Sequence, residues 1–357
     1  MTLEEYWASA VPGTENFCAQ ELASIGIKQV SPAQNGVTFY SDCKSFYRAC
    51  LSTRLNTGIH AVIGRTSEAS IRSLGALADN IDWLRYFRKA NSFDVRIEGL
   101  PVKKPVAEQI KTNLIQSIKK GLGSFATPHV STQNPDVSFV VLVRKRKYVI
   151  LASASSEVDK RPEKDIALSC ALFQMGWNKT SNGATLMIPF VNSSNVIDEI
   201  IRSKRGTFPQ LAVSHWCFEH WKAFSNKTFL ETLDEVEDAA MVRSDAICKV
   251  LIADPRNSAK NIGEGKSGQR NVDIFFTKNM FKIASENEDI CYLIDLPTLS
   301  PKDEIAFAKK MVDECIKSFG NNPNIRISMV SSPFAVSKLP NETMQAAVSA
   351  RTVTKIK

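Results

Sequence analysis

Apolar and polar positions alternate along residues 1–65 in a pattern that predicts strands separated by helices. Strands are expected near Trp7–Val11, Gly36–Tyr40 and His60–Ile63, where apolar residues run together or alternate with polar ones. A helix is expected to follow the first strand, and Asp42 is the expected N-cap of a second helix. This β-α-β-α-β run predicts a small ferredoxin-like domain.

Residues 66–157 combine short helical pieces with a strand, a long helix and a hairpin. The strand is expected over Ser92–Ile97, and the helix over Lys104–Leu122, where apolar residues recur at four-residue spacing. Two apolar runs, Val137–Val143 and Tyr148–Ala154, predict a β-hairpin. Its turn reads Arg144-Lys145-Arg146-Lys147.

From residue 165 to residue 357, short apolar strands alternate with helices. A Ser-, Lys- and Glu-containing linker over 155–165 precedes this segment. Strands separated by helices predict an α/β fold with a doubly wound, mostly parallel, Rossmann-like sheet. The expected strands are Ala184–Ile188, Cys248–Ala253, Asp273–Phe276, Ile290–Ile294 and Ile325–Val330.

The composition is that of a folded protein. Of 357 residues, 43% are hydrophobic and 23% charged, which excludes a wholly disordered chain.

No apolar run approaches the length of a membrane span, and the N-terminus has neither a signal peptide nor an Arg-rich presequence. Eight cysteines without a C-x-x-C pair favour free thiols in a reducing compartment. We therefore expect no membrane partner, and a cytoplasmic location or, after loss of a presequence, an organellar matrix such as the mitochondrial one.

The positive charge is concentrated in one block. Residues 51–150 contain 16 Lys and Arg against 7 Asp and Glu, a balance of +9, so the other 257 residues together carry −1 of the net +8. A basic block of this kind favours a polyanionic partner, although a solvated face of a basic protein has the same composition.

The four consecutive cations of the hairpin turn are the strongest local signal. Their mutual repulsion would be relieved by phosphate oxygens, so they favour nucleic acid over a merely solubilising turn. Lysines at the start and on the polar side of the long helix could share that face. The predicted RNA-binding residues are Arg144, Lys145, Arg146, Lys147, Lys103, Lys104, Lys111, Lys119 and Lys120.

No metal or nucleophile site is predicted. His215, Cys217 and His220 are ligand types, but three such residues in six positions rarely hold one ion without a distant further ligand, and the interleaved aromatic residues favour packing. A Ser or Cys nucleophile with a partner His cannot be picked out either.

Two acidic residues follow strands at the edge where ligands bind in such sheets. Asp254 follows an apolar strand and is placed to hydrogen-bond a ribose, or simply to cap a helix. Asp295, in Asp295-Leu296-Pro297, follows another strand, where an ordinary turn is the alternative.

Several stretches together resemble the THUMP-domain RNA methyltransferases, specifically the bacterial-type large-subunit rRNA guanine-N2 methyltransferases, along nearly the whole chain. They are Trp7–Glu15, Gln34–Phe39, Cys50–Leu55, the helix and hairpin of the basic segment, Ala167–Trp177 and Trp216–Trp221. The resemblance implies a ferredoxin-like domain over 1–65, a THUMP RNA-binding domain over 66–157 and a class I methyltransferase domain over 165–357. It also implies S-adenosylmethionine as cofactor.

The sequence departs from the family at the two motifs that carry the chemistry. Where the family has Asp-Pro-x-Cys-Gly-Ser-Gly-Thr, this chain reads Ile188-Pro189-Phe190-Val191-Asn192-Ser193-Ser194-Asn195. Both glycines, which let the backbone approach the cofactor, are absent. Where the family has Asn-Pro-Pro-Tyr, the chain reads Asp295-Leu296-Pro297-Thr298, without the first proline and the stacking aromatic residue.

Two functions from different classes follow. The first is an RNA-binding protein with an inactive methyltransferase domain and no cofactor. It would act on structured RNA, namely large-subunit rRNA or a ribosomal particle. Its role would be in ribosome assembly or as a ribosome-associated component, with protein partners there. The second is a divergent active methyltransferase that uses S-adenosylmethionine. Only in that case would Asp254, Asn192 and Ser194 bind the cofactor and Asp295 and Pro297 act at the target base.

Overall fold

The computed structural model describes residues 3–88, 90–156, 163–180, 183–189, 196–205, 213, 215–244, 248–252, 272–276, 289–295, 301–319, 325–331, 343–348 and 351–356. The chain divides into two compact units. Unit 1 comprises residues 1–10, 18–160 and 209–234, and unit 2 comprises residues 11–17, 161–208 and 235–357.

Eight α-helices and fifteen strands lie in the described ranges. The helices are α1 (Glu15–Ser24), α2 (Cys43–Ser52), α3 (Ile71–Ala78), α4 (Lys104–Leu122), α5 (Glu163–Met175), α6 (Val196–Arg205), α7 (Asn226–Ser244) and α8 (Pro301–Phe319). The strands are β1 (Glu4–Ser9), β2 (Gln29–Ala33), β3 (Gly36–Ser41), β4 (Gly58–Arg65), β5 (Ser92–Gly99), β6 (His129–Val130), β7 (Val137–Val143), β8 (Tyr148–Ser153), β9 (Ala184–Ile188), β10 (Cys248–Ile252), β11 (Val272–Phe276), β12 (Ile290–Asp295), β13 (Ile325–Ser331), β14 (Thr343–Val348) and β15 (Arg351–Ile356).

Unit 1 is built on one eight-stranded sheet with the order β2-β3-β1-β4-β8-β7-β5-β6. The pairs are antiparallel from β2 to β7, and β5 runs parallel to both β7 and β6. The sheet contains one strand more in its first part than the sequence predicts, because β2 lies next to β3 as an edge strand. Its residues are mostly exposed and include Pro32, so they carry no strand-like apolar alternation.

One face of this sheet carries a row of apolar residues that runs across the strands. Tyr6 lies beside Ala61, Ala61 beside Ala152, and Ala152 beside Phe139. Phe46 of α2 stacks on Tyr6 with a centroid distance of 4.4 Å, and Trp83 meets the Phe139 ring edge-on at 5.2 Å. Helix α4 contacts β5 and the short 3-10 helix that contains Trp83. Helices therefore cover this face.

The opposite face of the same strands carries a second cluster, in which Trp7, Val140, Leu142, Val149 and Leu151 pack together with Val62. Side chains alternate between the two faces along each strand, and these residues are the ones that point to this face. This is the face on which the hairpin β7–β8 places Arg144 beside Trp7.

An aromatic segment over residues 216–229 packs against the helical side of unit 1. Phe218 lies 5.1 Å from the Tyr47 ring and 5.7 Å from that of Phe46, and Trp221 lies 5.7 Å from Tyr86. Backbone hydrogen bonds hold the segment in place, from Cys217 N to the Ala154 carbonyl and from Lys222 N to the Arg85 carbonyl. The resemblance aligned this stretch with the methyltransferase part of the family, whereas its aromatic packing completes the core of unit 1.

Unit 2 contains a seven-stranded sheet with the order β11-β10-β9-β12-β13-β15-β14. The five strands from β11 to β13 are mutually parallel, β15 is antiparallel to β13, and β14 is antiparallel to β15. The doubly wound, mostly parallel α/β sheet predicted from the sequence is confirmed. The two C-terminal strands were not predicted, because their Thr- and Ala-containing stretches lack an apolar run.

The core of unit 2 lies around Trp177, which is fully buried. Its indole N–H donates to the Ile200 carbonyl at 3.1 Å, and the Lys204 ammonium lies 4.8 Å from its ring centroid. Lys204 also donates to the Thr180 carbonyl at 2.9 Å. The buried charge is thus satisfied by hydrogen bonding and a cation–π contact. Across both units, no helix among the described residues combines the length and apolarity required to cross a membrane.

Candidate nucleic-acid interface

A pocket of about 340 Å³ lies on the Trp7 face of the unit 1 sheet. Its floor is apolar and is formed by Trp7, Val62, Leu142, Val149 and Leu151. Polar and basic side chains and Ala33 line the rest, and the polar and basic ones are Gln34, Thr38, Arg65, Arg144, Lys145, Arg146 and Lys147. An apolar floor with a cationic rim offers a stacking surface together with phosphate-binding groups.

Arg144 forms part of the pocket wall. Its guanidinium lies 4.5 Å from the Trp7 ring centroid and donates to the Gln34 carbonyl. Burial, together with nearby Arg65, lowers the pKa of the Arg144 guanidinium, which nevertheless stays charged. Arg144 is therefore half-buried and held in place by the protein, although it belongs to the four-cation turn.

The other three turn cations, Lys145, Arg146 and Lys147, are exposed. The turn is closed by a 3.0 Å hydrogen bond from Arg144 N to the Lys147 carbonyl, which fixes the backbone while leaving the side chains outward. None of the ion pairs found in the described ranges engages these three side chains. They are the cations best placed to reach phosphate groups.

The predicted helix lysines fall into two groups. Lys103 and Lys104 lie close to the end of β5, where Leu100 N donates to the Val143 carbonyl beside the basic turn. Lys119 lies about 22 Å further along α4 at 1.5 Å per residue. Lys120, next to it, is engaged at 2.8 Å by the Asp79 carboxylate.

Lys111 is half-buried on the same helix, which lies over the opposite face of the sheet from the pocket. The structure thus brings Lys103 and Lys104 to the same end of the sheet as the turn, and separates Lys119 and Lys120 from it.

A chain of buried polar side chains lies beside the pocket floor. The Trp7 indole donates to Ser9 Oγ at 3.2 Å, and His60 is hydrogen-bonded to Ser9 Oγ at 3.2 Å and to Ser153 Oγ at 3.0 Å. Arg96 donates to the same Ser153 oxygen at 3.1 Å. Burial, reinforced by the Arg96 charge, lowers the pKa of His60 to about 3, so the imidazole is neutral at physiological pH.

Sequence reasoning missed this network and the pocket floor. The residues of the network lie on β1, β4, β5 and β8. These strands are separated in the sequence, so no short sequence motif contains residues from two of them. The one available signal was the pair Trp7 and Ser9, which share a strand face by period 2.

The candidate cofactor edge of unit 2 is formed by strands that stand side by side. β9 lies between β10 and β12 and is parallel to both, so the carboxyl ends Ile188, Ile252 and Asp295 lie at one edge of the sheet. Asn192, Ser194, Asp254 and Pro297 lie outside the described residues, as does the side chain of Asp295. In the sequence, each of these positions nevertheless lies at or shortly after the end of one of three adjacent strands, β9, β10 or β12.

Two family models match the N-terminal part of the chain. Residues 5–57 match the RlmL ferredoxin-like domain, and residues 68–152 match the THUMP domain. Unit 1 therefore contains a ferredoxin-like domain and a THUMP domain. The basic turn, the pocket and the long helix α4 all belong to this part of the chain.

Curated relatives extend the similarity into unit 2. The chain is 24% identical over 248 residues to the ribosomal RNA large subunit methyltransferase K/L of Vibrio parahaemolyticus, covering 65% of this chain and 34% of that protein. It is 26% identical over 281 residues to the protein of the same name from a Shewanella species, covering 72% and 39%. The chain resembles THUMP-containing rRNA methyltransferases, and it spans little more than a third of the length of these relatives.

Solved structures show the fold of the whole chain. A predicted N6-adenine-specific DNA methylase from Listeria monocytogenes superposes with a TM-score of 0.74 at 14% identity, over 100% of this chain and 97% of that one. A methyltransferase complexed with SAH superposes with a TM-score of 0.73 at 14% identity, over 99% and 98%. At these identities the likeness shows the fold alone, which is the ferredoxin-like, THUMP and methyltransferase-type α/β architecture predicted from the sequence.

Proposed function

We propose that the protein binds structured RNA through the basic turn and the pocket of unit 1. The observation that carries this proposal is the apolar pocket floor bordered by Arg65, Arg144 and three exposed turn cations, with the basic turn in the THUMP domain. Because the curated relatives are named as large-subunit rRNA methyltransferases, we take large-subunit rRNA or a ribosomal particle as the target.

The two parts of this interface have different tasks. Lys145, Arg146 and Lys147 neutralise phosphates and supply affinity without reading sequence. The pocket offers an apolar floor of Trp7 and its neighbours, and the guanidinium plane of Arg144 offers a surface on which an unpaired base can stack. Single-stranded or bulged segments next to a helix would use both parts.

For unit 2 we propose a methyltransferase fold without methyl transfer. The segment after β9 reads Phe190-Val191-Asn192-Ser193-Ser194 and contains no glycine, whereas a close backbone approach to the cofactor requires glycine. This lack of glycine is the reason to propose that the segment does not bind S-adenosylmethionine. The protein would then act in ribosome assembly or as a ribosome-associated component, with protein partners there, in the cytoplasm or an organellar matrix.

The second candidate function is an active S-adenosylmethionine-dependent RNA methyltransferase. The specific observation in its favour is the intact edge of the unit 2 sheet, where three adjacent parallel strands end and where Asp295 closes β12. In that case Asp254, Asn192 and Ser194 would contact the cofactor, and Asp295 and Pro297 the target base.

The RNA-binding proposal is tested by fluorescence anisotropy of the full chain with large-subunit rRNA fragments. The variant Lys145→Ser/Arg146→Ser/Lys147→Ser is compared with Lys309→Ser/Lys310→Ser/Lys317→Ser, which removes the same charge from exposed positions of α8. We expect the turn variant to bind at least tenfold more weakly and the α8 variant to bind as the wild type does. Equal affinities for wild type and turn variant would refute the proposal.

The choice between the two functions of unit 2 needs a separate measurement. Calorimetric titration of the RNA-free protein with S-adenosylmethionine and S-adenosylhomocysteine should give no heat if the methyltransferase fold is inactive. Micromolar binding, together with transfer of a methyl group to RNA that Asp295→Ala abolishes, would establish the second candidate instead. Neither result bears on RNA binding by unit 1.

A further inference from the structure

Three metal-ligating side chains from distant parts of the sequence meet in unit 1. Asp136 precedes β7, and His215 and His220 flank the start and end of the short 3-10 helix Cys217–His220. Each offers one ligand atom, and all three atoms lie within 4.8 Å of one another. The Asp136 Oδ1 to His215 Nε2 distance is 3.9 Å, and the two imidazole centroids are 5.8 Å apart.

The Asp136 carboxylate is oriented by the backbone of β5. Its Oδ2 accepts from Asn91 N at 2.7 Å and from Ser92 N at 3.1 Å, while Asp136 N donates to Ser92 Oγ at 3.0 Å. One carboxylate oxygen, Oδ2, is thereby fixed by the backbone, and the other, Oδ1, faces His215.

The His220 ring has a defined tautomer. Its Nδ1 lies 3.4 Å from the Arg88 carbonyl oxygen, which can only accept, so Nδ1 carries the proton. The lone pair is then on Nε2. Metal-bound histidines in proteins are oriented in this way, by donation of the second ring N–H to a carbonyl or carboxylate. The backbone reinforces the arrangement, because Arg88 N donates to the His220 carbonyl at 2.7 Å.

We propose that Asp136, His215 and His220 form a binding site for a divalent transition-metal ion, with Zn²⁺ as the preferred occupant. Two imidazoles and one carboxylate are a ligand set for zinc and its neighbours rather than for Mg²⁺ or Ca²⁺. Tetrahedral bonds of 2.0–2.1 Å separate ligand atoms by about 3.3 Å, so the partly exposed side chains need to approach by at most about 1.5 Å. The side-chain exposures of 40% for His215 and 24% for Asp136 admit a water as fourth ligand.

The sequence disfavoured a metal here because it showed only ligands within one short stretch. The third ligand is Asp136, which lies far from the histidines in the chain and is supplied by the fold. Cys217 is not part of the set, because among the described residues only Asp136, His215 and His220 bring their ligand atoms together. The bound ion would join the segment 215–220 to the loop before β7, and so fix the aromatic segment against the THUMP domain.

The test is titration of the full chain with Zn²⁺ in competition with a chromophoric chelator. We expect one equivalent bound at micromolar or lower Kd by the wild type. His215→Ala, His220→Ala and Asp136→Asn should each weaken binding at least tenfold, and the exposed His129→Ala should leave it unchanged. Zn²⁺ should also raise the Tm of the wild type by several degrees and leave that of His215→Ala unmoved.

Two results would overturn the site. One is the absence of stoichiometric Zn²⁺ binding by the wild type, which would leave an ordinary histidine–aspartate contact. The other is binding that the three cluster variants retain. Co²⁺ is titrated into the unaltered protein as well, so that one readout does not depend on how the variants fold. Visible absorption bands of a low-coordinate, imidazole-bound ion are expected, and the spectrum of hexaaqua Co²⁺ alone would also refute the proposal.

Discussion

At the scale of single residues, the floor of the pocket depends on how closely β3 approaches Trp7. A Cβ added to Gly36 would lie 2.1 Å from Trp7 Cζ2 and 2.5 Å from the Ala8 carbonyl oxygen. Neither atom can give way easily, since Trp7 is itself packed under Arg144. Glycine is therefore required at position 36 because β3 passes too close to Trp7 and the Ala8 carbonyl for a side chain to fit.

We predict that Gly36→Ala destabilises the protein by about 1–3 kcal/mol, as overpacking of a core does, and changes the Trp7 fluorescence. The control is Gly75→Ala in α3, where nothing lies within 4 Å of the new methyl group. That change should be neutral or stabilise by about 0.5–1 kcal/mol, because alanine is the better helix residue. Chemical denaturation measures both, and equal stabilities of the two variants would contradict the packing described here.

The buried imidazole of His60 makes a prediction about pH. Its folded-state pKa of about 3 lies below the value of 6.5 in the unfolded chain, so the unfolded chain binds the extra proton between these values. Stability is therefore present above pH 6.5 and falls with decreasing pH, by up to about 1.4 kcal/mol per pH unit from this group.

His60→Gln should remove this contribution while keeping hydrogen-bonding groups for Ser9 and Ser153. We expect the stability of the variant, measured by denaturation between pH 7 and pH 4.5, to fall less steeply than that of the wild type. His129→Gln, at an exposed position, should follow the wild-type curve. Parallel curves for His60→Gln and wild type would show that folding does not lower the pKa of His60.

At the scale of elements, the aromatic segment of unit 1 is the least obvious part of the core. Phe218 is almost fully buried and touches six aromatic rings, those of Phe46, Tyr47, Trp216, Trp221, Phe224 and Phe229. Ser225 N also donates to the Tyr47 hydroxyl oxygen at 3.1 Å. A segment distant in sequence thus supplies part of the hydrophobic core over α2.

We predict that Phe218→Ala costs about 3–5 kcal/mol of folding free energy, because a large buried ring is removed from a packed cluster. Leu230→Ala is the control, since this side chain is 47% exposed on α7. Its loss should change stability by less than about 0.5 kcal/mol. A comparable loss in both variants would mean that the segment is not part of the core.

The elements that the sequence predicted well are those with a strong period. Helix α4 has the predicted bounds, and β7, β8, β9 and the parallel strands of unit 2 agree within one or two residues. β2, β14 and β15 were missed, because edge strands and polar hairpins are stabilised by pairing with a neighbour and carry little pattern of their own. The N-cap Asp42 was also predicted, and it accepts from Ser45 N at 2.7 Å.

At the scale of the whole molecule, the sequence predicted the order of domains and the class of each sheet, while the interface residues were only partly predictable. The run of four cations was visible directly, but its division into a wall residue, Arg144, and three exposed cations depends on the contact with Trp7. Which helix lysines share the surface depends on the direction of α4. Likewise Asp136 joins His215 and His220 only through the fold.

The salt dependence of RNA affinity shows whether the exposed turn cations contact RNA phosphates, as proposed. Log Kd is measured against log salt for the wild type, the Lys145/Arg146/Lys147→Ser variant and the α8 control variant. Each lost phosphate contact reduces the slope by about 0.7–0.9, so the turn variant should have a slope smaller by about 2–3. The control should keep the wild-type slope. A turn variant with the wild-type slope would contradict the proposed phosphate contacts of the turn, because RNA would then bind elsewhere on the molecule.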